Sequence, residues 1–102
     1  MAGADTELIV VVRSGPDTAG ARRALALCSA RTARGEPTTL VLLDEAVRLA
    51  RDAATVGAPV LCLSEDAAMR GVALEGLRQV RAARYTQLVD TLMSGAHVIG
   101  AL

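Results

Sequence analysis

The chain has 102 residues, with eleven basic groups, eleven acidic groups and a formal net charge of zero. A balanced charge excludes general nucleic-acid binding, which needs a basic face; the single aromatic, Tyr85, offers no stacking platform for single-stranded bases. No apolar run approaches the ~20 residues of a membrane span, so no membrane partner is expected. All the basic residues are Arg, with Lys and Asn absent, which marks a GC-rich coding sequence and not a function. With no Phe or Trp the core must be aliphatic and fine-grained. The length predicts one domain over 1–102. So short a chain buries a limited fraction of its surface, and homo-oligomerisation would help to stabilise it. The start MAGADTE is polar and lacks a basic region before an apolar one. The expectation is therefore a soluble, reduced, cytoplasmic protein.

After a loose end at Met1–Thr6, the run ELIVVV (Glu7–Val12) predicts a strand covered on both faces. Arg13–Thr18 is a turn, and Asp17 or Thr18 can cap the helix that follows over Ala19–Arg34. Its apolar positions Ala21, Ala24, Leu25, Cys28 and Ala33 lie close to helical spacing. Gly35 and Pro37 end it. Thr38–Leu43 is the second strand, and Asp44 is the cap candidate for a helix over Glu45–Val56 ended by Gly57. Ala58–Leu63 is the third strand, with Ser64 as cap candidate for a helix over Glu65–Arg70 stopped by Gly71. Gln79–Ala83 is a weakly patterned fourth strand near an edge. Tyr85–Ser94 carries Leu88, Leu92 and Val89, Met93 at helical spacing, Gly95 ends it, and Ala96–Leu102 reads as a last strand. The order β-α-β-α-β-α-β-α-β predicts an α/β fold: a three-layer α/β/α sandwich on a mostly parallel five-stranded sheet.

In such a sheet, ligands and chemistry sit at the carboxyl ends of the strands. Cys62 falls there, at the junction of the third strand and third helix, and is the best candidate nucleophile. A helix N-terminus favours the thiolate, the reactive form. Glu65 and Asp66 in the same turn oppose a second anion, and Arg13 or Arg70 offset them only if the fold brings them close. The competing reading is a small hydrophobe in a central strand. Cys28, on the apolar face of the first helix, is expected in the core. Neither cysteine has a C-x-x-C partner, two cysteines make no disulfide framework, and one His makes no metal site. GPDTAGAR at Gly15–Arg22 has the glycine spacing of a phosphate loop, but Ala21 and Arg22 stand where Lys and Ser or Thr belong, which excludes nucleotide hydrolysis. A weaker anion site survives at Gly15, Asp17 and Thr18 with Arg22 and Arg23 near. Ser64, Glu65 and Arg70 are the corresponding contacts around Cys62. Asp44, Glu65 and Asp66 can gather at the carboxyl edge, where capping explains each. His97 is expected at the opposite edge from Cys62, and Tyr85 is expected to cap the core under the last helix.

Three stretches carry a family resemblance. SGPDTAGARRALALCSARTARGEPTTLVLLDEAV is similar to the opening of the DsrE/DsrF-like family, VLCLSEDAAMRGV resembles its signature strand with a Cys before a short helix and an Arg-Gly pair, and RAARYTQLVDTLMSGAHVIGAL resembles its C-terminal strand–helix–strand. The resemblance implies a DsrE-like sandwich of flavodoxin-like architecture that assembles into oligomers. In members with the cysteine, it implies a sulfur relay with donor and acceptor proteins and no cofactor. By position Cys62 would be the sulfur-accepting residue: its thiolate attacks the terminal sulfur of a donor persulfide, the donor thiolate leaves, and the sulfur passes on to an acceptor thiol. Such a protein, if an enzyme, is a sulfurtransferase. The Cys62-to-Gly71 spacing is about one residue longer than the family pattern. An inserted loop residue accounts for that, and so does a frame in which Leu63 takes the cysteine position and Cys62 faces the other way. The alternative function is a non-catalytic oligomeric assembly or a small-ligand or anion-binding module, with Cys62 structural.

Overall fold

A computed structural model describes residues 7–94 and 97–100. The expected loose end at residues 1–6, the helix stop at Gly95 and part of the last strand (Ala96, Ala101, Leu102) lie outside the described residues. Five strands form one sheet: Leu8–Val12 (β1), Thr38–Leu42 (β2), Val60–Leu63 (β3), Val80–Ala83 (β4) and His97–Ile99 (β5). The sheet order is β4-β3-β2-β1-β5, and every pairing is parallel. The continuous apolar runs end up where they must: β2 is the central strand and is buried throughout. The weakly patterned β4 is at one edge and the short β5 at the other.

The connections decide which face each helix covers. From β1 to β4 the chain steps one way across the sheet, so right-handed crossovers place the first three connections on one face. The return from β4 to β5 runs the other way and places the last helix on the opposite face. Helix α1 (Ala19–Ala33) covers the first face with Ala21, Ala24 and Cys28, all fully buried against Val10, Val12, Leu40 and Leu42. Small side chains there let the helix lie close to the sheet. Helix α4 (Tyr85–Leu92) covers the second face, where Leu88 meets Ile9, Val11, Val41 and Ala83.

Local chemistry accounts for most of the helix ends. Thr18 caps α1: its Oγ1 accepts the Ala21 N–H at 3.1 Å. Gly35 follows with φ +75°, a conformation that a residue without a Cβ adopts freely. At α4 the Gln87 Oε1 accepts the Arg84 N–H at 2.8 Å. Two cap candidates differ from expectation. Ser64 is the first residue of helix α3 (Ser64–Met69) and makes no capping bond; Leu63 precedes it. The segment expected as one helix over Glu45–Val56 is a 3-10 turn at Asp44–Leu49 followed by the short helix α2 (Ala50–Ala53). Asp44 is the first residue of that turn, with φ +53°, and Leu43 holds the extended cap position instead. What holds Asp44 in that conformation belongs to the site.

Candidate functional site

The carboxyl ends of β1 and β2 lead into Arg13 and Leu43, β3 ends on Leu63, and α4 begins at Tyr85 just past the end of β4. After β3 the chain moves to the first face, and after β4 it moves to the second. Such a divergence opens a crevice at the carboxyl edge of a parallel sheet. A depression of about 610 Å³ lies there. Leu43, Leu63, Leu88 and Leu92 form its apolar wall, with Val41 and Val89. Arg13, Asp44, Asp66 and Tyr85 supply its polar groups.

Neighbouring residues of β3 take opposite roles. Cys62 is in register with Leu42 and Ala82 and belongs to the first-face core together with Val60, Val12 and Cys28. Its side chain is 0% exposed. Leu63, one residue on, faces the second side and lines the pocket. Burial pushes the Cys62 thiol up to about 11, and the nearby Asp66 carboxylate pushes in the same direction. Of the two first-turn acids, Asp66 opposes a thiolate, and burial is the larger cause. Cys28 is also buried and is raised to about 11 by desolvation, against a smaller opposing pull from Arg31.

Arg70 is the hub of the edge. Its guanidinium pairs with Asp44, its Nε donates to Glu45 Oε2 at 2.9 Å, and its Nη1 lies 3.8 Å from Asp66 Oδ1. Glu45 also accepts from Arg48 Nε at 3.0 Å. The hydrogen bond from Arg70, then that from Arg48, holds the Glu45 carboxyl below the usual glutamate range. Asp66 Oδ2 accepts the backbone N–H of Asp44 at 2.6 Å. These bonds tie α3 to the β2 turn and hold Asp44 in its left-handed conformation.

Of the residues singled out from sequence, Arg13, Asp44, Asp66 and Tyr85 reach the pocket, while Cys62, Ser64, Glu65 and the Gly15–Thr18 turn do not line it. Arg70 stands behind Asp44 and Asp66 and does not line it either. The turn closes on itself: Thr18 Oγ1 is within 2.9 Å of the Gly15 carbonyl, and Arg22 donates to the Asp17 carbonyl at 3.3 Å. Tyr85 was expected to cap the core and instead is 65% exposed at the pocket mouth, because it begins α4, one turn before the buried Leu88. His97 starts β5 opposite Leu8, at the amino edge, far from Cys62's end of the sheet. The apolar lining carries no reactive side chain, so residue chemistry alone does not mark it. Its signal was topological, in the reversal of chain direction after β4.

No helix among the described residues is long and apolar enough to cross a membrane. Among those residues, no group of three or more His, Cys, Asp or Glu side chains is placed to hold a metal ion. The sequence matches no family model and no curated protein. The fold is similar to that of the ychN protein from E. coli, with a TM-score of 0.80 at 16% identity over 93% of this chain and 98% of that one. It is similar also to a conserved protein of unknown function from Bacteroides thetaiotaomicron, with a TM-score of 0.73 at 17% identity over 95% of this chain and 96% of that one. The α/β sandwich is therefore DsrE-like in fold.

Proposed function

We propose that this chain is a non-catalytic small-ligand-binding module, with the carboxyl-edge pocket as its site and Cys62 as a structural core residue. The observation that carries this reading is the alternation at the end of β3: Leu63 lines the pocket and Cys62 faces the packed core. The cavity thus presents apolar wall and a few polar groups, the usual make-up of a small-molecule site.

Persulfide relay on Cys62 is the second reading. It is favoured by the residue's position at the carboxyl end of a strand, directly before a helix, in a DsrE-like fold. It requires the β3–α3 junction to open, since a thiol that is neutral and enclosed neither attacks nor releases sulfur.

Intact-mass measurement after thiol alkylation separates the two, run on the native protein with and without prior exposure to a persulfide donor. The expected result is no alkylation of either cysteine below pH 9 in the native state, two alkylations on unfolding, and no added sulfur. One fast site at Cys62 that gains the mass of a sulfur atom would establish the relay and remove the structural role.

A further inference from the structure

We infer that the carboxyl-edge pocket takes a small amphiphilic anion, an aliphatic chain ending in a carboxylate or a like head group, with the head on Arg13 and the chain along Leu43, Leu63 and Leu92. This rests on the ligand-binding reading of the pocket and names the class of ligand.

The charges around the cavity select the head group. Asp44 and Asp66 both line it, but both are already engaged. Asp44 pairs with Arg70, and Asp66 accepts the Asp44 N–H while facing the same guanidinium. A cationic head would have to compete with Arg70, which is held from several sides and is only 16% exposed. Arg13 differs. It lines the same cavity and is exposed, and among the described residues no carboxylate pairs with it. An anionic head displaces only water there and gains charge-assisted hydrogen bonds. The walls select the rest of the molecule. They are aliphatic side chains with no polar atoms, so only an apolar body gains from leaving water against them. Tyr85, at the mouth, is the one aromatic residue of the chain, so its fluorescence reports on this site alone.

The test is a tyrosine-fluorescence titration with three probes of equal chain length, octanoate, octan-1-ol and octylammonium, on wild type, Arg13→Gln and Val89→Asp. Val89 is an exposed wall position, so the charge it receives does not enter the core. Octanoate is expected to bind about tenfold tighter than octanol, on the scale of a hydrogen bond to a charged group, with octylammonium weakest. Arg13→Gln removes the preference for octanoate and leaves octanol unchanged, and Val89→Asp weakens all three. If the three probes bind alike, or Arg13→Gln changes nothing, the head-group assignment fails while the pocket stands. If none of them perturbs Tyr85, the assignment and the ligand-binding reading both fail. If sedimentation shows a dimer that Val89→Asp dissolves and no probe binds, the occupant is a second copy of the chain, and both are overturned.

Discussion

Cys62 and Leu63 are adjacent, apolar in character and opposite in consequence. Side chains of a strand alternate between faces, so one residue of register decides which of the two meets the pocket. Cys62 lies among Val12, Leu42 and Val60, where a neutral thiol is a good filler and a thiolate has no counter-charge. A substitution there should act as a core substitution. Cys62→Ala is expected to cost about 1–2 kcal/mol through the small cavity it leaves, and Cys62→Ser about 1–3 kcal/mol by burying a hydroxyl among hydrocarbon. Chemical unfolding measures both, and a cost-free Cys62→Ser would contradict the packing argument. The same burial fixes a pH dependence. The folded-state value of about 11 lies above the ordinary thiol value of 9.0, so the neutral form is the one the fold stabilises. That contribution is complete below pH ~9 and is lost as the pH climbs toward 11. Wild type should therefore lose more stability than Cys62→Ala between pH 8 and 10.5. Equal losses would mean that the thiol is not desolvated.

At the scale of elements, the β2 turn and α3 are joined by Arg70, and this junction shapes one wall of the pocket. Asp44 keeps its positive φ because Asp66 holds its N–H and Arg70 holds its carboxylate. Arg70→Gln breaks the ion pairs and leaves three carboxylates, Asp44, Glu45 and Asp66, facing one another. Partly exposed pairs are weak singly, but one guanidinium serves all of them here, and Arg70→Gln is expected to lower the midpoint of urea unfolding. The sign with pH follows from Glu45, whose carboxyl Arg70 and Arg48 hold below its ordinary value of 4.5. Its contribution is present above that value and disappears as the pH falls through the lowered one, so the cost of Arg70→Gln should shrink under acid. A cost that is constant from pH 7 to 3 would show that the guanidinium acts by packing alone. None of this junction could be read from local pattern. Asp44 looks like a cap, and its partners, Asp66 in α3 and Arg70 just after it, lie beyond α2 and the whole of β3. The elements themselves were legible. ELIVVV, TTLVLL and APVLCL have only one use in an α/β chain, and Thr18, Gly35 and Pro37 punctuate as their chemistry requires. The segment after β2 was not legible, since a helical apolar spacing at Ala46, Leu49, Ala50 and Ala53 fits a 3-10 turn and a short helix as well as one longer helix.

For the whole molecule, the strand order leaves the two faces unequally covered. α1, α2 and α3 pack on the side that holds both cysteines, whereas α4 is the one helix among the described residues on the other. That imbalance makes the pocket, because a single helix beginning at the β4 end leaves the carboxyl edge of β1 to β3 open. Among the described residues it also leaves β5 without a covering helix. Val98 continues the Ile9 row of the second face and is 45% exposed, and Ile99 is 38% exposed. An apolar edge strand with an unpaired side is a surface on which sheets associate. A core this small gains proportionally more than a large one from added burial. The expectation of self-association therefore attaches to this edge, across the sheet from the pocket's β3 wall. Sedimentation equilibrium at micromolar concentration is expected to give a mass above that of one chain, and Val98→Lys is expected to return it to one chain without loss of folding. Because Val98 does not line the pocket, octanoate should perturb Tyr85 in that variant as it does in wild type. A wild-type chain that stays monomeric at every concentration would show that the exposed edge is tolerated. β5 would then be protected by its shortness, since three residues offer too few backbone bonds to hold a second sheet.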